Sequence, residues 1–178
     1  FLQKYITKRS LVNIVKINKL WTFHANSIEK NNSKSVIEIG AGKSLEQNIY
    51  LSYKFNGVLN QTAIDINNML DFDLVNQASK QISSILNCNN KGKVENLEQL
   101  KRLYNISYMA PYNLSNFKNT DNRFDICIST TTLEHFKLSD LKNYLEDLKT
   151  ILKQNGLVSS IIDYSDHYSH TDKNISPL

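Results

Sequence analysis

One stretch governs what this chain can fold into: Val36-Ile37-Glu38-Ile39-Gly40-Ala41-Gly42-Lys43-Ser44. The near-continuous apolar run of Val36, Ile37 and Ile39 reads as a strand buried on both faces, the pattern of a parallel sheet. Gly40 and Gly42 then let the backbone turn sharply beneath a ligand. A strand that opens through glycines into a helix is the first half of a β-α-β unit, and such turns are places where cofactors are held.

The residues around the glycines narrow the choice of ligand. A phosphate-binding loop ending in Gly42-Lys43-Ser44 needs a glycine where Ile37 stands inside the strand, and Glu38 would set a carboxylate against a polyphosphate. A dinucleotide turn needs a third glycine where Leu45 stands. An acidic residue just before the turn suits a ligand that carries an ammonium and a sulfonium instead. In this respect Glu38-Ile39-Gly40-Ala41-Gly42 resembles the first motif of the class I S-adenosylmethionine (SAM) dependent methyltransferases, with Ser44 where that family often has a further glycine.

Composition sets the outer bounds. A chain of 178 residues with 40% hydrophobic and 21% charged residues suits one soluble domain. No apolar run is long enough to span a membrane, and no signal-peptide pattern is present. Cys88 and Cys127 suggest neither a disulfide framework nor a metal site, so a reducing cytoplasm is expected. The net charge of +4 comes from dispersed lysines, a solvated surface rather than a nucleic-acid stripe. The chain opens on Phe1 and closes on the loop-like Asn174 to Leu178, so a piece of a longer protein is expected.

In chain order, the N-terminus to about residue 30 reads as helix, with Ile17, Leu20, Trp21, His24 and Ile28 on one apolar stripe. His24 reads first as a packed or partly exposed structural histidine; the alternative, implied by the methyltransferase resemblance, in which a helix before the first strand covers the cofactor or substrate, is that it faces the site. The Asn-rich stretch from Asn26 to Ser33 turns into the first strand. A crossover helix follows from Leu45 to Phe55, closed by Asn56-Gly57, and a second strand from Leu59 to Ile66 carries Asp65 near its end. An acidic residue there is placed to accept hydrogen bonds from ribose hydroxyls. Helical patterns at Phe72 to Leu86 and Leu97 to Leu103 flank a polar loop, and Asn105 to Ala110 reads as a third strand.

Phe124 to Ser129 reads as the fourth strand, and the run from Asp125 to His135 resembles the fourth methyltransferase motif, ending in Leu133-Glu134-His135. Leu138 to Lys153 reads as a helix presenting Leu138, Leu141, Leu145, Leu148 and Leu152, with Ser139-Asp140 at its start and Asn155-Gly156 as its stop. Leu157 to Ile162 is the fifth strand, leading to Asp166, His167 and His170 at the same sheet edge.

These patterns predict an α/β fold: a doubly wound, mostly parallel sheet of about five strands flanked by helices. The resemblance covers about residues 34 to 164 and implies a Rossmann-like methyltransferase fold without its C-terminal strands. It divides the chain into an N-terminal helical cap at 1–33 and a SAM-binding domain at 34–178. It implies SAM as cofactor, contacted by Glu38, Gly40, Ala41, Gly42, Asp65, Ile66, Ala110, Ser129 and Thr130. Ala110-Pro111 stands where the family often has an acidic residue beside the adenine, so the base would be held by backbone and packing. His135 and His167 are the candidate bases for a hydroxyl or amine acceptor. The acceptor expected is a small molecule, such as a sugar or lipid-linked intermediate. Nucleic acid is not expected, because Ser129-Thr130-Thr131-Thr132 stands where amino-methylating nucleic-acid enzymes carry a proline pair and an aromatic residue. No metal is expected. A nicotinamide-dependent oxidoreductase and a non-catalytic binding module share the fold and remain as alternatives.

Overall fold

The computed structural model describes residues 11–118, 120, 121 and 123–164. Five strands, β1 (Ser35–Ile39), β2 (Asn60–Ile64), β3 (Ile106–Met109), β4 (Phe124–Thr130) and β5 (Leu152–Ile161), form one sheet in the order β3-β2-β1-β4-β5. All four pairings are parallel. The order reverses beside β1, and ligands of such sheets bind beyond the carboxyl ends of the strands at that reversal.

Among the described residues five helices cover the sheet: α1 (Lys19–Lys30), α2 (Glu46–Lys54), α3 (Phe72–Ile85), α4 (Leu97–Tyr104) and α5 (Leu138–Ile151). The first four share one core with Val36, Ala63, Ile126 and Ile128. The opposite face sets Ile37, Ile39, Ile64 and Cys127 against α5 and a 3₁₀ turn at Leu114–Phe117. Alternate residues of β1 therefore serve different cores, which is why the strand reads as continuously apolar. Glu38 is the exception and points to the α1–α2 side with Val36.

Four expectations need correction. Residues 11–18 are not helical; the first helix begins at Lys19, where the Asn18 side chain accepts from the Leu20 amide. Residues 1–10 lie outside the described residues. In α5 the inward residues are Tyr144, Asp147, Leu148 and Ile151, while Leu138 and Leu145 are 71% and 50% exposed. Leu141, Leu148 and Leu152 of the expected stripe do pack on the second core, but the inward face is rotated to take in Tyr144, which packs on Phe136 and meets Cys127 Sγ at 3.6 Å, and Asp147, which pairs with Lys118 at 2.6 Å. Lys137 is the N-cap of α5, and neither Ser139 nor Asp140 caps it. The helix ends at Ile151 because the chain turns straight into β5, so Asn155-Gly156 lies within that strand.

Among the described residues no helix is long and apolar enough to cross a membrane, and no cluster of three or more His, Cys, Asp or Glu could hold a metal.

Candidate active site

The glycine turn is stitched to its neighbour strand. Gly40 and Ala41 both donate to the Ile64 carbonyl, at 3.0 and 3.4 Å, and Gly40, Gly42 and Leu45 all have positive φ. A side chain at Gly40 is disfavoured on two grounds: its φ of +74° suits glycine, and a Cβ there would lie 2.4 Å from Thr132 Oγ1. Beside Gly42 a Cβ would meet nothing within 4 Å, so that side of the turn is open.

Asp65 follows β2 and is fixed from both sides. Its Oδ2 accepts from the Gly42 amide at 3.2 Å and its Oδ1 from the Asn67 amide at 3.3 Å, while Tyr112 donates to its carbonyl at 2.8 Å. A carboxylate offers about four lone-pair positions, so these two bonds leave it able to accept more.

A cavity of about 590 Å³ opens at this edge, and Gly40, Asp65, Ile66, Tyr112, Thr132 and His135 are among the residues that line it. Its charged lining is mostly acidic: Asp65, Asp140, Glu146 and Asp147 stand against Lys118, which is itself bonded to Asp147. His135 sits in the short 3₁₀ turn Leu133–His135 after β4, its amide bonded to the Thr132 carbonyl. The turn after β3 offers few amide donors to a ligand. Pro111 has none, Tyr112 donates to Asp65 and Asn113 donates to Asn116 Oδ1.

The expected site residues thus divide. Gly40, Asp65, Ile66 and His135 border the cavity, and Ala41 and Gly42 form the turn beside it. Glu38, Ser129 and Thr130 lie below it. Ala110 packs against the α1–α4 core. His167 lies outside the described residues, as do Asp166 and His170. Sequence reasoning missed Thr132, Tyr112 and Asn143 as lining residues, since nothing but their threonine-rich or loop setting singles them out.

Glu38 is 4% exposed. Its Oε1 accepts from Gln47 Nε2 at 2.7 Å, whereas Oε2 has no partner. Burial raises its pKa from 4.5 to about 8, the nearby Asp65 charge adds to this, and the Asn48 and Gln47 amides oppose it. His24 is fully buried, and burial lowers it to about 4.

The methyltransferase-domain family profile matches residues 37–160, which is most of the chain. The chain belongs to this family. Solved structures with the same fold include a candidate O-methyltransferase from Nostoc punctiforme, with a TM-score of 0.53 at 13% identity, over 86% of this chain and 39% of that one. The DhpI–SAH complex gives 0.51 at 14%, over 93% and 61%. PKMT2 from Rickettsia typhi in complex with AdoHcy gives 0.50 at 13%, over 82% and 26%. The chain therefore spans less than two thirds of each of those chains. No curated protein sequence matches it.

Proposed function

We propose that this domain binds S-adenosylmethionine at the Gly40–Gly42 turn and Asp65, and transfers the methyl group to a small-molecule acceptor. The observation that carries the reading is the fixed Asp65 carboxylate, with bonding capacity left, on a cavity whose carboxylates outnumber its cations. That charge balance suits a ligand bearing a sulfonium and an ammonium. A nicotinamide dinucleotide would instead bring its pyrophosphate against the same carboxylates, at a Coulombic cost.

The residues fit the cofactor. The open side of Gly42 leaves room for an aliphatic tail, and the Glu38 carboxyl two residues before Gly40 keeps one oxygen without a partner. When bound, the sulfonium supplies an electrophilic methyl group open to in-line displacement. Asp65 accepts from the ribose hydroxyls. Ile66, which is 70% exposed, and the Tyr112 ring give the base apolar surfaces, while the amides after β3 are already spent. Base recognition here is by packing. His135 takes the proton from a hydroxyl or amine acceptor. Within the N-terminal segment, α1 covers the β1 side of the binding domain, and the two free cysteines fit a reducing compartment such as the cytoplasm.

Calorimetric titration with SAM and, separately, with NAD tests this, on the wild type, Asp65→Ala and Gly40→Val. Saturable SAM binding that both substitutions abolish supports the reading. Binding of NAD without SAM replaces it with an oxidoreductase, and binding of neither overturns it.

A further inference from the structure

Below the glycine turn, a chain of hydrogen bonds crosses the sheet face covered by α1 and α2. Ser159 Oγ on β5 lies 2.8 Å from His24 Nδ1, and His24 Nε2 lies 3.0 Å from Thr130 Oγ1 on β4. Thr130 Oγ1 donates to Gln47 Oε1 at 2.9 Å, and Gln47 Nε2 donates to Glu38 Oε1 at 2.7 Å. Ser159, His24, Gln47 and Glu38 are all buried.

With the Gln47 amide oriented so that Nε2 donates to Glu38 and Oε1 accepts from Thr130, the other directions follow by counting protons. Thr130 has one hydroxyl proton and gives it to Gln47, so it accepts from the Nε2–H of His24. The imidazole is then bare at Nδ1 and accepts from the Ser159 hydroxyl. Burial keeps it neutral, with its pKa lowered to about 4, as this arrangement requires. Four dipoles align in one sense and end on Glu38. Both ring nitrogens find partners on two different strands, as burial demands, whereas an apolar residue would fill the space without desolvating two polar atoms.

We propose that His24 is a positioning residue for the cofactor turn: through Thr130 and Gln47 it sets the orientation of the Glu38 carboxyl group, which stands on β1 two residues before Gly40. The proposal depends on reading the turn as the SAM site. It makes α1, which lies outside the β-α-β unit, part of the binding apparatus without touching the ligand. The same chain reaches β5 through Ser159, so two elements remote from the glycines hold one carboxylate in register.

The test is the affinity of the purified chain for S-adenosylhomocysteine, measured by calorimetry on His24→Leu, Thr130→Val, the double variant and Thr130→Ser, with thermal unfolding as a check on folding. Each of the first two weakens binding about tenfold, the order expected when a buried acceptor loses its donor. The double variant is no weaker than either single one, because both break the same chain. Thr130→Ser restores wild-type affinity by returning the hydroxyl. In ¹⁵N-resolved spectra of the histidine rings, His24 shows the Nε2–H tautomer, and its signals shift when S-adenosylhomocysteine is added. A folded Thr130→Val chain with unchanged affinity overturns the proposal, as do fully additive losses or a serine that fails to rescue. A wild-type chain that binds neither SAM nor S-adenosylhomocysteine overturns the site reading and the proposal with it, whereas wild-type binding with unaltered variants overturns the proposal alone.

Discussion

Glu38→Gln should make the protein more stable at neutral pH. The carboxyl group ionises near 4.5 in an unfolded chain but only near 8 in the fold, because burial disfavours its charge. Between those values the folded state holds a proton that the unfolded state has lost, so stability falls as pH rises through this window and levels off above pH 8. At pH 7 about two and a half pH units of that penalty have accrued, or about 3 kcal/mol. Glutamine removes the titration while preserving volume. Its carbonyl can still accept from Gln47, and its amide protons can serve Asn48 Oδ1, which has no partner. Urea unfolding of both proteins from pH 5 to 8 reads the effect as a difference, in which the other titrating groups cancel. The variant should gain little at pH 5 and about 3 kcal/mol at pH 7. A difference that stays constant with pH, or favours the wild type more as pH rises, refutes the burial argument. The same variant should bind SAM more weakly, since a neutral amide replaces a group able to become anionic beneath the cationic ligand.

Three further outcomes follow from the same geometry. Gly40→Ala should cost about 1–2 kcal/mol of stability from its positive φ alone, and more from the clash with Thr132; a calorimetric Tm equal to wild type would contradict this. Asp65→Asn should keep the fold but weaken SAM binding at least tenfold, measured by titration, because an amide accepts through one oxygen where the carboxylate used two. Asp125→Ala should destabilise by about 1–2 kcal/mol in chemical denaturation, since Oδ2 caps the Lys34 and Ser35 amides at 2.8 Å each and Oδ1 holds Lys153 at 2.7 Å. Burial works against its charge, but these partners outweigh it and lower its pKa, so the wild-type advantage should be present above the ordinary carboxylate range and fade as pH falls below it.

The sheet was legible because each strand carries its own signal. β1 is announced by its apolar run, β2 by the acid that closes it, and β4 by the apolar run within Phe124 to Ser129, whose Ile126, Cys127 and Ile128 the fold divides between two cores. The phase of α5 was not legible, since leucine spacing fixes the period of a helix but not which of two apolar stripes turns inward. Tyr144 and Lys118 decided that, and Lys118 lies twenty residues or more from the residues it orders. The glycine turn and Asp65 could be read locally. Thr132 covering Gly40 could not, because it depends on how β4 hands the chain over at Thr131, whose φ is +46°.

The buried polar chain was invisible for a deeper reason. Its members are separated along the sequence by as much as 135 residues and share no spacing that a motif could capture. Each looks ordinary in its own segment: a histidine on an amphipathic helix, a glutamine opening a crossover, a threonine among threonines. What makes them a unit is that neighbouring parallel strands bring the carboxyl ends of β1, β4 and β5 side by side, with α1 and α2 laid across them. A parallel sheet with helices on both faces leaves no water to satisfy a charged residue at that level, so Glu38 requires partners from those helices. Placing a carboxylate under the turn therefore commits positions on α1, α2, β4 and β5 to polar side chains. Apolar replacement at any one of them should leave the others short of a partner, so those positions should tolerate substitution only in concert.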